Sequence, residues 1–77
     1  MLCEIFKSKK KDETYLFVEK AFDLEELPLA LKGVIGELIF VMELEISEGR
    51  KLARDEPLVV LANIKNQGFH LQLPPKI

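Results

Sequence analysis

The clearest pattern of apolar and polar positions lies between Glu37 and Ile46. Apolar residues occupy every second position there, at Leu38, Phe40, Met42, Leu44 and Ile46. A period of two predicts a long β-strand with one apolar face. The intervening positions have an apolar middle and acidic ends, so the second face of this strand is expected to be partly solvated.

Three shorter strands are predicted on either side of it. The segments 2–7 and 14–19 have the length and the composition of strands, and the polar loop 8–13 between them indicates a hairpin. Near the end of the chain, residues 69–73 alternate again, which predicts a last strand with Phe69, Leu71 and Leu73 on the core face and His70 pointing outward. The following prolines end that strand because proline cannot donate to a ladder.

Two helical regions are predicted between these strands. Asp23 can cap a first helix, but Pro28 interrupts its apolar spacing, which favours either a short helix from near Leu27 or a kinked pair of turns. The sequence Asp-Glu-Pro at 55–57 is a typical helix start, and Gly68 stands where a left-handed stop belongs.

The resulting order is β-β-α-β-α-β. It predicts one domain over residues 1–77 with an α+β, two-layer architecture, in which a mostly antiparallel four-stranded sheet carries short helices on one face.

Composition and charge narrow the functional classes. The chain has 77 residues, of which 48% are hydrophobic and 31% charged, with a net charge of −2. General nucleic-acid binders usually carry a basic excess, so this class is not the first expectation. A single cysteine excludes an internal disulfide and favours a reducing cytoplasm, and no apolar run approaches the roughly 20 residues of a membrane span.

Three segments together resemble the YcgL family of small bacterial proteins. They are KDETYLFVE at 11–19, GRKL at 49–52 and, as the most specific, QGFHLQLPP at 67–75. The resemblance spans nearly all of the chain. It implies a small α/β domain in the bacterial cytoplasm, of unassigned biochemical function, and it brings no catalytic residues.

Candidate catalytic chemistry is sparse. Cys3 and His70 are the only residues of their kinds, and a buried cysteine with a surface histidine is favoured over a nucleophile and base pair. One histidine and scattered acids do not suggest a metal site, and no cofactor motif is present. Glu43 and Glu45 share a strand face, where they indicate a solvated acidic surface that would discourage edge pairing.

Two basic clusters and the closing segment are the candidate partner-binding features. The first cluster lies within residues 7–11 and the second within residues 50–54. They could bind phosphate, RNA or an acidic partner if they meet in space. The closing segment, with Gln67, Gln72, Pro74 and Pro75, could dock a partner by strand addition or as an extended ligand. The candidate residues are Lys9, Lys10, Lys11, Tyr15, Arg50, Lys51, Arg54, Gln67, Gln72 and Pro74.

Three functions are therefore considered. A non-enzymatic protein-interaction module is favoured, as a monomer or weak dimer, because no convergent nucleophile, base and oxyanion donors are visible. Its open sheet face or its basic clusters are expected to bind the partner. RNA or nucleotide binding through Lys7–Lys11 and Arg50–Arg54, with Tyr15 or Phe17 stacking on bases, is the alternative. A small enzyme using Cys3 or His70 ranks last.

Overall fold

The computed structural model describes residues 1–49 and 55–74. The elements of this part of the chain are the strands β1 (Leu2–Ser8), β2 (Tyr15–Glu19), β3 (Leu38–Glu45) and β4 (Phe69–Gln72), the 3-10 turn Leu24–Glu26, and the helices α1 (Leu29–Ile35) and α2 (Pro57–Gln67). The predicted order β-β-α-β-α-β is confirmed.

The four strands form one antiparallel sheet in the order β3-β1-β2-β4. The first strand of the chain is therefore interior, and β3 and β4 form the two edges. This is the α+β architecture that the alternation of strand and helix patterns predicts. No helix in the described residues has both the length and the apolarity needed to cross a bilayer.

The helices lie on both faces of the sheet. Neighbouring residues on a strand point to opposite faces, yet Leu16 and Phe17 of β2 are both buried, each in a different apolar cluster. One cluster joins the sheet to α2, and the other joins it to the 3-10 turn and α1. Their buried members are Cys3, Ile5, Phe17, Ile46, Val60 and Ile64 in the first, and Leu16, Val18, Leu27 and Ile35 in the second.

The expected two-layer arrangement with helices on one face is thus wrong. The physical reason is the uninterrupted apolar run at 16–18. It gives the interior strand β2 apolar side chains on both faces of the sheet, and both faces have to be buried. A single helical layer could cover only one of them.

Pro28 divides the first helical region as predicted. The Asp23 side chain accepts a hydrogen bond from the Glu25 amide at 3.0 Å and starts the 3-10 turn. Pro28 then occupies the N-cap position of α1 in an extended conformation, so a separate short helix begins at Leu29 after the 3-10 turn.

The boundaries of α2 follow the expected signals in part. Pro57 lies in its first turn, and Gly68 ends it with φ +92°, a left-handed conformation that glycine adopts without steric cost. The Gly68 amide donates to the Ile64 carbonyl at 2.9 Å. Asp55, however, does not cap the helix: its carboxylate contacts His70 instead.

Candidate functional site

Strand β3 forms one of the two edges of the sheet. It pairs with β1 on one side, and its other side carries no strand of the described chain. Four consecutive apolar residues at its centre, Ile39, Phe40, Val41 and Met42, are 43–53% exposed. A run of half-exposed apolar side chains on a sheet edge is a surface on which another strand can pair.

A β-bulge divides β3 at Val41. Ile5 lies opposite Met42 and Phe6 lies opposite Phe40, so Val41 is the extra residue on the edge strand. The bulge changes the alternation of faces: Phe40 contacts the Phe6 ring edge-on, with centroids 5.7 Å apart, while Met42 shares the opposite face with Ile5. The prediction of one continuous apolar face from Leu38 to Ile46 is therefore wrong.

The ladder between β1 and β3 also decides which backbone groups face outward. Met1 and Ile46 exchange two hydrogen bonds of 2.9 Å, and the Lys9 amide donates to Glu37 at 3.0 Å. Bonded and non-bonded pairs alternate along an antiparallel ladder. Counting from these two ends, the N–H and C=O groups that point away from β1 belong to Leu38, Phe40, Glu43 and Glu45.

The acids of this edge are paired with cations of the same chain. Glu37 binds the Lys9 ammonium at 2.9 Å, Glu43 binds the Lys20 ammonium at 3.0 Å, and Glu45 contacts the amino group of Met1. These ion pairs are largely exposed, so they add little stability. Their effect is to reduce the negative charge that was expected to keep other strands away.

The first basic cluster is built around a buried serine that sequence reasoning missed. The Ser8 hydroxyl donates to the Ile35 carbonyl at 2.6 Å and accepts from the amides of Lys10 and Lys11 at 3.2 and 3.0 Å. The Lys10 side chain in turn reaches the Gly33 carbonyl at 3.1 Å. Ser8 thus ties the hairpin loop to the end of α1.

Replacing Ser8 with alanine is expected to lower the free energy of unfolding by about 1–2 kcal/mol, because buried polar groups lose their partners. Urea unfolding followed by circular dichroism measures the loss. The exposed Ser47→Ala variant is the control and should change little. Equal stability of the two variants would contradict this role of Ser8.

The second basic cluster, Arg50, Lys51 and Arg54, lies outside the described residues. The binding role of the two clusters, which requires that they meet in space, therefore stays a prediction. Tyr15, the expected stacking residue, is half-buried on β2 opposite Lys7 and Gln72.

His70 is buried, with 6% of its surface exposed, which corrects the expected outward orientation. Its ring packs edge-on against Phe17, with centroids 5.7 Å apart. Nε2 lies 2.6 Å from an Asp55 carboxylate oxygen, and Nδ1 lies 2.9 Å from the Asn63 amide nitrogen. The histidine points inward because α2 covers the face of β4 on which it lies.

This network connects β4 to α2 and to the residues before α2. The Asn63 amide donates to Nδ1, which assigns the Nε2–H tautomer donating to Asp55. Both ring nitrogens are then occupied by the protein itself, so neither is available to take a proton from a substrate.

Beside the network is an open groove of about 640 Å³, lined by Asp55, Glu56, Val59, His70, Leu71, Leu73 and Pro74.

Cys3 is fully buried in β1, as predicted, and its thiol donates to the Met1 carbonyl at 3.6 Å. Burial raises the pKa of the thiol, which lowers the fraction of reactive thiolate. Within residues 1–49 and 55–74, no three side chains of His, Cys, Asp or Glu are placed to hold a metal ion.

The closing segment combines a local turn with a buried polar residue. The Gln67 side chain donates to the Phe69 carbonyl at 3.1 Å, across the stop of α2. Gln72 is buried, whereas Pro74 is exposed beside the groove. The partner-binding role of these three residues stays a prediction.

Sequence reasoning missed Asn63, Ser8 and the exposed centre of β3. The available signal for the edge was the five consecutive apolar residues at 38–42, which do not alternate as a strand with one solvated face would. Asn63 gave a weaker signal, as a polar residue between apolar neighbours in the second helix.

Comparison with known proteins identifies the same domain family over almost the whole chain. The family model of the YcgL domain matches residues 3–75. A YcgL domain-containing protein of Pseudomonas putida (strain W619) is 47% identical over 74 residues, covering 96% of this chain and 76% of that relative.

Two further relatives come from other bacteria. A YcgL domain-containing protein of Chromohalobacter salexigens is 49% identical over 74 residues, covering 96% of this chain and 77% of the relative. One of Thioalkalivibrio sulfidiphilus is 40% identical over 72 residues, covering 94% of this chain and 89% of the relative. Their names give a domain and state no activity, ligand or partner.

Proposed function

This chain belongs to the YcgL domain family, and we propose that it acts as a non-enzymatic protein-interaction module whose binding surface is the edge strand β3. The observation that carries the proposal is the exposure of four consecutive apolar residues, Ile39–Met42, on an edge with which no further strand in residues 1–49 and 55–74 pairs. Soluble domains usually protect such an edge by lysine, proline or a covering loop.

The β3 edge offers outward backbone groups and exposed apolar side chains, and strand addition uses both. An extended partner segment would pair with the outward backbone groups of Leu38, Phe40, Glu43 and Glu45, which supplies affinity. Its side chains would cover the apolar centre on both faces of the sheet, since the bulge places Phe40 on one face and Met42 on the other. Burial of apolar area is the dominant favourable term in most protein association.

The two residues with catalytic potential support a non-enzymatic role. Cys3 is buried with a raised thiol pKa, and both ring nitrogens of His70 have protein partners. The proposal places the domain in the bacterial cytoplasm, where a chain with one cysteine needs no disulfide.

RNA binding is the alternative function, and the contacts of the described lysines do not favour it. Lys9 is paired with Glu37, and the Lys10 ammonium donates to the backbone of Gly33. Both lysines would have to leave these partners before they could neutralise phosphates.

Photo-crosslinking in the bacterial source can test the proposed surface. A photoreactive phenylalanine analogue at Val41 is expected to form covalent adducts with a protein, identified by mass spectrometry. The same analogue at Val34 on α1 is a matched control, because the two valines are 46% and 47% exposed. Adducts specific to position 41 are expected on this proposal.

The absence of adducts from position 41, or equal adducts from both positions, would contradict it. Adducts with a second copy of this chain and adducts with a different protein both agree with the proposal, and they are distinguished by the peptides recovered.

A further inference from the structure

We propose that the occupant of the β3 edge is a second copy of the same chain, paired antiparallel through β3 to make one continuous eight-stranded sheet. This inference rests on the proposed function, since it names the partner of the same surface. A two-fold axis between the edges would make the contact self-complementary.

The charge arrangement favours such a partner. Going along the edge, an acid at Glu37 is followed by five apolar residues and then by acids at Glu43 and Glu45. Antiparallel self-pairing aligns the apolar centres and brings the Glu37 end of one protomer to the Glu43 end of the other.

The lysines that are paired with these acids make the contact between the Glu37 end and the Glu43 end favourable. Lys9 stays with Glu37 and Lys20 stays with Glu43, so each end of the paired edges carries charges of both signs. A partner segment with basic flanks would instead bring its cations next to Lys9 and Lys20. The compensated acids therefore favour a partner with the same pattern.

The bulge is compatible with this pairing. Residues directly opposite each other in a sheet share a face. Ile39 pairs with Lys7, and Met42 pairs with Ile5, so Ile39 and Met42 share a face of the sheet. If Ile39 of one protomer lies opposite Met42 of its partner, the two opposed side chains share a face of the sheet. The two-fold axis forms this pair of residues twice. This placement also sets the outward backbone groups of Leu38 opposite those of Glu43.

The dimer is expected to be weak. Contact through a single strand edge lies at the low end of interface sizes, below the roughly 1,200 Å² of stable complexes. Association should therefore depend on protein concentration.

Sedimentation velocity over a concentration series measures this association for the purified chain. We expect a shift from monomer to dimer with rising concentration. Val41→Lys should raise the dimer dissociation constant by roughly tenfold or more, because symmetry places two lysines in the contact. Val34→Lys, at matched exposure on α1, should leave it unchanged. Circular dichroism and thermal unfolding confirm that both variants are folded.

A chain that stays monomeric over the whole series would overturn the inference, and so would equal dissociation constants for the two folded lysine variants. If that result were accompanied by crosslinks from position 41 to a different protein, the proposed interaction surface would stand and only the identity of its occupant would be wrong. Crosslinks absent from position 41 as well would remove both.

Discussion

Truncating either Leu16 or Phe17 to alanine is expected to lower the free energy of unfolding by about 3 kcal/mol, within the 2–5 kcal/mol range measured for large-to-small core changes. Both side chains are buried, although they are neighbours on β2 and point to opposite faces. Leu16 packs in the cluster under α1, whereas Phe17 packs in the cluster under α2.

Urea unfolding at a fixed temperature measures the two losses, provided that the slope with denaturant is unchanged. Leu29→Ala is the control, because Leu29 is 84% exposed and should lose less than about 0.5 kcal/mol. A near-neutral result for Leu16 or for Phe17 would mean that one face of the sheet is open to water. The arrangement of helices on both faces would then be wrong.

Replacing His70 with alanine is expected to cost about 2–4 kcal/mol. The change removes an edge-on contact with Phe17, worth about 0.5–1.5 kcal/mol. It also removes the partners of Asp55 and Asn63, and leaving polar groups unpaired costs about 1–3 kcal/mol. Asp55 is partly exposed, so water can replace some of what it loses.

His70→Phe separates the two contributions. Phenylalanine keeps an aromatic ring beside Phe17 but cannot bond to Asp55 or Asn63, so this variant should lose only the hydrogen-bond part. Urea unfolding of both variants is the measurement. If His70→Ala were as stable as the parent chain, the network would not hold β4 to α2.

The features that sequence analysis predicted correctly are those with local causes. The hairpin of β1 and β2, the Asp23 cap and the Gly68 stop each depend on residues within a few positions of one another. Turn, capping and glycine signals act over that distance. The family resemblance, carried mainly by residues 67–75, is confirmed by the match over residues 3–75.

What failed depends on contacts between distant segments. Covering both faces requires α1 and α2 to pack on opposite sides, which no single-segment pattern records. The bulge at Val41 exists only in relation to β1. Alternation along β3 taken alone therefore placed Phe40 and Met42 on one face, when the ladder places them on two.

The candidate site shows the same limit. The sequence does not indicate what holds the hairpin loop in place: it is held by Ser8, whose partner Ile35 is 27 residues away. His70 was predicted to be exposed from the alternation of β4, since the sequence does not say that α2 lies over that face. Only the fold brings Asp55, Asn63 and His70 together.

The position of Cys3 in the interior strand has a practical consequence. The thiol is fully buried, and burial raises its pKa, so an alkylating reagent can react with it rapidly only in molecules in which β1 has separated from the strands beside it. The rate at which Cys3 is alkylated therefore reports how often β1 separates from its neighbouring strands, and no added label is needed.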